Sequence, residues 1–382
     1  MSKNKKKNTH GSRYILSIVI FTFLLLFFVA LINYKIDPEK IYSNFLSKNS
    51  LQDTYSAEFV KKLVESKYGI SFEDNVLNER EIKYELANYP TTAECAVIGS
   101  SPVFQISSFR NNKSFKSICS SILNLGTSSS VLEDYLIFSE QLFLNEQAPK
   151  KIIIQINPYT LNFNRDDLWQ KYSNEYYNFR DKLMNNKKII NKINNNTYNF
   201  LLFENLINLR YFIRSIEIFN LDKKKLVYEV QKFDYDKGSN YDVMLPDGSL
   251  VYNSDQIKDA LNNKIDGLTG KGDYKVKEGR WYNQDAIDLL ENLTKYLQKK
   301  FEVIFIMTPY HPLVWEFSNR PIVKAMKIME PIIIEIADKN NVSVYGSFNP
   351  KNIPCNSNEY FDEIHIMSSC TKKIENFLNA SK

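Results

Sequence analysis

The feature that most constrains this chain is an uninterrupted apolar stretch near its N-terminus. Residues Tyr14 to Tyr34 contain no charged side chain and consist mostly of Ile, Leu, Phe and Val. As a helix this stretch is about 30 Å long, which matches the hydrocarbon core of a bilayer. No face of the segment is polar, so a buried helix of a globular protein is a poor alternative. The stretch therefore predicts one transmembrane anchor over residues 14–34.

The charges that flank the apolar stretch predict its orientation. Basic residues and no acidic ones precede it: Lys3, Lys5, Lys6, Lys7 and Arg13. After it, two lysines are offset by Asp37 and Glu39. An excess of Lys and Arg stays on the cytoplasmic side, so residues 1–13 are predicted to be a cytoplasmic tail. The predicted location is the cytoplasmic membrane, single-pass, with the C-terminal part extracytoplasmic.

A cleaved signal peptide is the competing interpretation of the same segment. Its apolar region would be shorter and would end in a small-x-small cleavage site. The residues at the end of the stretch, Phe28 to Asn33, offer no good site of this kind. An uncleaved anchor is therefore the favoured interpretation.

Charge and cysteine content exclude several classes of function. The formal net charge of +5 largely reflects the N-terminal tail, and no Lys/Arg stripe follows it, so nucleic acid is not an expected partner. No CxxC motif or Cys/His cluster is present, so a structural zinc site is not expected. No other metal and no cofactor is expected either. Cys355 and Cys370 are compatible either with a disulfide in an oxidising compartment or with buried free thiols.

The remaining sequence alternates between short apolar strands and amphipathic helices. Residues 35–90 contain two segments with helical spacing, 57–66 and 76–88, and predict a stalk or covering segment. Beyond them the predicted strands are 94–98, 117–125, 151–156, 301–307 and 342–345. The predicted helices are 131–145, 283–299, 322–339 and 368–378. This alternation predicts an α/β fold with a parallel sheet covered on both faces over residues 91–382. It is lost at about 160–280, which predicts an insertion, helical over 180–219 and with hairpins over 226–252.

Reactive side chains are concentrated where the predicted strands end. Ligands of open parallel sheets bind at the carboxyl ends of the strands. Gly99-Ser100-Ser101 follows the first strand of the alternating part, and Asp362-Glu363-Ile364-His365 precedes the last helix. A serine hydroxyl becomes a nucleophile when an imidazole takes its proton and a carboxylate orients that imidazole. These segments therefore predict a Ser-His-Asp site assembled from the two ends of the domain.

The two motifs together resemble the SGNH (GDSL-type) hydrolase superfamily. Val97-Ile98-Gly99-Ser100-Ser101 is similar to its Gly-Asp-Ser block, and Asp362-x-x-His365 to its C-terminal block. The resemblance implies a flavodoxin-like three-layer α/β/α fold. It also implies that Ser101 is the nucleophile, His365 the general base and Asp362 its orienting acid. Ser100 stands where the family has Asp, so it remains an alternative nucleophile.

The oxyanion-stabilising blocks of the family are matched less closely. Asn124-Leu125-Gly126-Thr127-Ser128-Ser129 resembles the second block, with Ser129 at the position of the glycine whose amide helps to stabilise the oxyanion. The third block, Gly-x-Asn-Asp, is absent. Asn157 ends the corresponding strand two residues early, and Ser129 and Asn157 are the expected oxyanion donors. His311, which follows another strand, is expected either to line the substrate cleft or to be a plain turn residue.

The resemblance implies a function at the cell surface. One N-terminal span with an exported SGNH domain resembles the D-alanyl transfer proteins of teichoic acid modification and the exopolysaccharide O-acetyltransferases. This implies a membrane-anchored serine esterase or O-acyltransferase acting on acyl esters of a cell-surface glycan or other envelope polymer, and a possible integral-membrane acyltransferase partner. The alternative is a catalytically inactive member that binds a polymer or scaffolds an envelope-modifying complex.

Overall fold

The chain forms two compact units, which are described separately. The computed structural model describes residues 7–37, 51–72, 78–110, 115–162, 169, 172–184, 203–220, 227–230, 234–235, 237–262, 274, 276 and 279–379. The first unit comprises Met1–Leu51 and Asn191–Lys223, and the second comprises Gln52–Ile190 and Lys224–Lys382. Part of the predicted insertion therefore belongs with the N-terminal helix, and the rest belongs with the sheet.

The helices and strands have the following bounds. In chain order the helices are α1 (Lys7–Ile36), α2 (Leu51–Glu65), α3 (Glu79–Asn88), α4 (Leu132–Leu144), α5 (Ser173–Leu183), α6 (Leu209–Asn220), α7 (Ser254–Leu261), α8 (Gln284–Leu297), α9 (Pro312–Glu316), α10 (Pro321–Lys339) and α11 (Ser368–Ile374). The strands are β1 (Ile70–Phe72), β2 (Cys95–Ile98), β3 (Ile122–Asn124), β4 (Lys151–Gln155), β5 (Val227–Glu229), β6 (Val243–Met244), β7 (Leu250–Val251), β8 (Glu302–Met307), β9 (Ser343–Gly346) and β10 (Leu378–Asn379).

Helix α1 contains the predicted apolar span. Its segment Arg13–Ile36 has 24 residues and a mean hydropathy of 3.2, and its most apolar part is not buried against the protein. By length and composition it can cross a membrane, which confirms the apolar helix predicted over 14–34. The helix begins at Lys7, within the predicted basic tail, and the residues before Lys7 lie outside the described part of the chain.

The second unit is built on a six-stranded sheet with the order β10-β9-β8-β4-β2-β3. Strands β3, β2, β4, β8 and β9 run parallel, and only β10 pairs antiparallel. The predicted parallel sheet is therefore confirmed. Counted along the chain, the parallel strands lie in the order 2-1-3-4-5, one of the two common orders of doubly wound α/β proteins.

Apolar side chains cover both faces of this sheet, and the buried cluster on one face is larger than that on the other. One face, which includes Ala96, Ile98 and Ile152, packs into a large buried cluster with side chains of α4, α8 and α10. The opposite face, which includes Val97 and Ile153, packs with the short helix α11 and with loop residues. The alternation arises because successive side chains of a strand point to opposite faces.

The segment predicted as a stalk or covering layer at 35–90 is part of the second unit from Gln52 onward. Helix α3 packs against α4, and its Ile82 and Leu86 are buried in the main core. Strand β1 joins a small antiparallel sheet with the order β5-β1-β6-β7. The described residues from Gln52 onward therefore pack with the second unit, residues 35–37 belong with α1 to the first unit, and residues 38–50 lie outside the described part of the chain.

Several details differ from the predicted elements. The hairpin predicted over 226–252 is present as β6 and β7, with Gly248 in the left-handed region at φ +82°. The helix predicted at 368–378 ends at Ile374, and β10 follows and pairs with β9. A strand of two residues is too short to show a period in the sequence. The helical segment predicted over 180–219 lies partly outside the description.

All four cysteines form disulfides in this structure. Cys355 bonds to Cys370, which decides between the alternatives left open by the sequence. Cys95 bonds to Cys119 across a sequence separation of 24 residues. No spacing motif in the sequence predicts the Cys95–Cys119 disulfide. It forms because the fold brings β2 close to the segment before β3.

Candidate active site

The site lies where the chain leaves the carboxyl ends of two neighbouring strands, β2 and β4. These strands are paired in parallel, with Ile98 opposite Ile154. In the order 2-1-3-4-5 the switch point lies between the first and third strands, because the connections that follow them leave in different directions. Proteins of this type bind ligands in the crevice at the switch point. Ser101 follows β2 and Asn157 follows β4 at this edge. The first turn is anchored because Gln155 Oε1 accepts a hydrogen bond of 2.9 Å from the Ser100 amide.

The two serines after β2 have different environments. Ser101 begins a short 3₁₀ helix, is partly exposed, and has its Oγ 2.6 Å from His365 Nε2. Ser100 is buried, and its Oγ accepts a hydrogen bond of 3.2 Å from the Ser130 amide. Ser101 is therefore the serine whose hydroxyl faces the imidazole.

His365 and Asp362 are held together by one turn of chain before α11. His365 Nδ1 lies 2.5 Å from Asp362 Oδ2. The other carboxylate oxygen accepts the amides of Ile364 and His365, both at 2.9 Å. A carboxylate accepts only, so this network assigns the imidazole proton to Nδ1 and leaves Nε2 to accept from the Ser101 hydroxyl.

The carboxylate of Asp362 is stabilised in its ionised form. Burial by itself would raise the pKa of Asp362. The hydrogen bond and charge of His365, together with two backbone amides, outweigh that effect and hold the pKa below its usual value. The side chain of Asp362 is 49% exposed and that of His365 23%, so the pair is reachable from solvent.

The loop 126–130 presents Ser129 with an unusual backbone conformation. Ser129 has φ +52° and is exposed. Its amide makes no hydrogen bond within the part of the chain that the structure describes. An amide without such a partner is able to donate to a ligand.

Two residues of α3 hold this loop from outside the sheet, and nothing in the sequence pattern predicts them. Glu79 Oε2 accepts the Ser128 amide at 2.8 Å, and Arg80 donates to the Ser128 carbonyl at 3.1 Å. Arg80 is itself oriented by a salt bridge of 2.7 Å to Asp134, whose side chain is fully buried. The loop conformation therefore depends on a contact with the covering segment.

Asn157 lies at the end of β4 with its amide group oriented by the backbone. Its Oδ1 accepts the amides of Tyr159 and Thr160 at 2.8 and 3.1 Å. Because both are donors, the accepting atom is Oδ1 and the NH₂ group must point away. Among the described residues Nδ2 has no hydrogen-bond partner, so it remains a donor at the carboxyl edge of the sheet.

His311 is placed behind the site rather than at its surface. It is 1% exposed, and its Nδ1 accepts the Leu313 amide at 3.2 Å, capping α9. Its backbone amide donates to the Glu363 carbonyl at 2.9 Å, and its ring packs edge-on against Tyr360. Burial lowers the pKa of His311. In this structure the residue supports the loop that carries Asp362 and His365.

Tyr252 is a neighbour of the site that sequence reasoning missed. It follows β7 of the small sheet, and its ring centroid lies 6.3 Å from that of His365 and 4.6 Å from that of Phe361. Burial raises the pKa of the Tyr252 hydroxyl, so it remains protonated at neutral pH. No motif marks this residue, because the small sheet brings it to the site from the insertion.

No protein-family model matches this chain, and a search of the curated proteins finds no match. The fold and the site are those of a mixed α/β protein with a Ser-His-Asp cluster at the carboxyl edge of its parallel sheet. In chemical terms, such a cluster can move a proton from the Ser101 hydroxyl to His365 while Asp362 stabilises the resulting imidazolium.

Proposed function

We propose that this protein is a membrane-anchored, exported serine esterase or O-acyltransferase of the SGNH (GDSL-type) type, acting on acyl esters of a cell-envelope glycan or polymer. The observation that carries the proposal is the contact of Ser101 Oγ with His365 Nε2 at 2.6 Å, across a sequence separation of 264 residues. The bond between His365 and Asp362 and the 2-1-3-4-5 strand order, which is flavodoxin-like, add support.

In the first half of the proposed reaction Ser101 Oγ attacks the carbonyl carbon of the ester. Its proton passes to His365 Nε2, and Asp362 stabilises the imidazolium. The charge that develops on the carbonyl oxygen is stabilised by hydrogen bonds that the amides of Ser101 and Ser129 and Asn157 Nδ2 donate to it. The bond to the leaving alcohol then breaks, and His365 returns its proton to that oxygen. The product is an acyl group on Ser101.

In the second half a hydroxyl group replaces the departed alcohol. His365 takes a proton from the incoming oxygen, which attacks the acyl carbon, and the proton then passes to Ser101 Oγ as the acyl bond breaks. Water as the acceptor gives hydrolysis, and a sugar hydroxyl gives transfer. An integral-membrane acyltransferase partner that supplies the acyl group belongs to the transfer alternative.

Two features support an extracytoplasmic site of action. The apolar segment of α1 is long enough to span a bilayer, and the basic residues precede it. Cys95–Cys119 and Cys355–Cys370 are disulfides, which persist in oxidising compartments and are rare in the cytoplasm.

A fluorophosphonate probe, which labels activated serines, tests the proposed function on the full-length protein in detergent. We expect labelling of the wild type and its loss in both Ser101→Ala and His365→Ala. Ser100→Ala is the matched control, because it removes the neighbouring hydroxyl and should keep the labelling. Asp362→Asn should slow labelling roughly 100-fold or more, because the NH₂ group of Asn would face Nδ1 and favour the wrong imidazole tautomer. A folded wild type that stays unlabelled would favour the inactive, polymer-binding alternative.

A further inference from the structure

We propose that α6 is a membrane-embedded helix that lies beside the C-terminal end of α1, in the leaflet that this end of α1 enters, with its exposed apolar side chains in contact with lipid. The inference rests on the proposed membrane anchoring but not on catalysis. It assigns a lipid partner to a part of the predicted insertion.

Helix α6 and the residues before it are bound to α1 through buried polar contacts. Asn33 is fully buried, and its Nδ2 donates to the Leu206 carbonyl at 2.9 Å. Its Oδ1 accepts the Ser215 hydroxyl at 3.1 Å. The Tyr211 hydroxyl donates to Asp37 Oδ1 at 2.7 Å. Polar groups satisfied in this way hold two helices together where water is scarce.

The order of these contacts shows that the two helices run antiparallel. From Tyr211 to Ser215 the partner on α1 changes from Asp37 to Asn33. Four residues advance a helix by about 6 Å, so Phe219 lies about another 6 Å toward the middle of the apolar span. The side chains of α1 that become half-buried along this path are Val29, Ala30, Ile32 and Ile36. Helix α6 therefore returns along the last part of the apolar span.

Most of the exposed side chains of α6 and of the residues before it are apolar, and Glu204 and Arg210 are the exposed charged ones among the described residues. The exposed fractions of Leu209, Ile213 and Phe219 are 68%, 50% and 74%. Phe203 and Ile207, which precede α6, add to the same set at 60% and 38%. Exposure of so much apolar surface to water is unfavourable and marks a contact surface.

The surface of α1 around α6 indicates that lipid contacts the exposed apolar side chains of α6. The side chains of α1 beside the α6 contact are themselves exposed and apolar, for example Phe27 and Phe28 at 66% and 58%. A bilayer that solvates these side chains also reaches α6. With 12 residues α6 is about 18 Å long, too short to span a bilayer, so it follows only the last part of the apolar span of α1. Arg210, which precedes Tyr211 and so lies near the level of Asp37, is exposed, and a long cationic side chain there can extend toward lipid phosphates.

Single cysteines test this inference in the full-length protein, because all four native cysteines are in disulfides. Ile213→Cys and Phe219→Cys probe α6. Leu24→Cys probes the anchor, and Leu144→Cys is an equally exposed apolar position of α4 in the second unit. Each carries a nitroxide label, and the protein is reconstituted in vesicles of phosphatidylcholine and phosphatidylglycerol. Spin relaxation then reports collisions with oxygen, which enters lipid, and with a nickel chelate, which stays in water.

We expect the labels at 213 and 219 to collide rarely with nickel and often with oxygen, like the label at 24. The label at 219 should lie deeper in the bilayer than the label at 213. The label at 144 should collide with nickel. Suppose that the labels at 213 and 219 collide with nickel as often as the label at 144, while the label at 24 is protected. This result would refute the inference about α6 but leave the transmembrane anchor intact. Exposure of 24 to nickel would refute the anchor and this inference together. Protection of 213 from both reagents would mean a protein contact and would also contradict lipid.

Discussion

At the scale of the residue, an extended backbone directs the side chains of two adjacent serines to opposite sides. Ser100 has φ −93° and ψ −179°, an extended conformation in which successive side chains point to opposite sides. One hydroxyl is therefore buried against the Ser130 amide, while the other meets the imidazole of His365. The position within the Gly-Ser-Ser motif favoured Ser101 through the family resemblance, and the contacts on each side show which of the two hydroxyls meets His365.

Glu140 is a residue whose ionisation should set part of the pH dependence of stability. Burial raises its pKa to about 7, Glu175 adds to this effect, and Lys182 opposes it. Relative to a usual value of 4.5, the folded state holds more protons than the unfolded state between these pH values. The free energy of unfolding should therefore fall as pH rises through this window and stay low above it.

Glu140→Gln should remove this effect. We expect the variant to be more stable than the wild type at pH 8, by about 1 kcal/mol after allowance for partial exposure, with a smaller gain at pH 5. Thermal unfolding of the full-length protein in detergent at both pH values measures the difference. An equal gain at pH 5 and pH 8 would show that ionisation of Glu140 is not the cause.

At the scale of the element, α3 is the part of the covering layer that shapes the site. Glu79 accepts from the Ser128 amide and Arg80 donates to the Ser128 carbonyl, next to the Ser129 amide proposed to stabilise the oxyanion. Helix α3 is itself held by Ile82 and Leu86 in the core. A segment that the sequence marks only as helical is thereby connected to the proposed chemistry.

Removal of one of these contacts should affect turnover more than substrate binding. For Glu79→Ala we expect kcat for p-nitrophenyl acetate to fall about three- to tenfold with KM little changed, because a lost positioning hydrogen bond is worth roughly 1 kcal/mol. Asn88→Ala, at the other end of α3, is the matched control and should retain wild-type kcat. A change in KM alone, or an equal loss in both variants, would argue against positioning of the loop.

The long elements were predictable because their apolar periods are strong. Strands β2, β4 and β8 and helices α4, α8 and α10 lie within one or two residues of the predicted bounds. The elements that were missed are short or depend on a distant partner. Strand β10 exists because Leu378 and Asn379 pair with β9, and β1 because it pairs with β5 and β6.

At the scale of the whole molecule, the two disulfides close loops of different consequence. Cys355–Cys370 spans 15 residues that include Asp362 and His365. Cys95–Cys119 spans 24 residues that contain Ser101 but not its histidine partner. Loops of these lengths give comparable stabilisation, roughly 3 kcal/mol each by the chain-entropy argument.

Removal of either disulfide should therefore lower stability by a similar amount, but only removal of Cys355–Cys370 should strongly lower activity. Cys355→Ala with Cys370→Ala and Cys95→Ala with Cys119→Ala should lower the free energy of unfolding by similar amounts. The first double variant should also lower kcat about tenfold or more at a temperature where both are folded, since a small displacement of the histidine loop disturbs the relay. Equal kcat values in the two folded variants would contradict a role for the Cys355–Cys370 disulfide in holding that loop.

The sequence by itself determined the apolar span, the alternation that builds the parallel sheet, and the residue types at the strand ends. These properties follow from local periods and composition, which act over a few turns of chain. Tertiary structure alone decided that Ser101 rather than Ser100 meets His365, that Cys95 bonds to Cys119, that α3 holds the 126–130 loop and that α6 returns along α1. Each of these contacts joins residues far apart in sequence, so it depends on strand order and packing that no local period records.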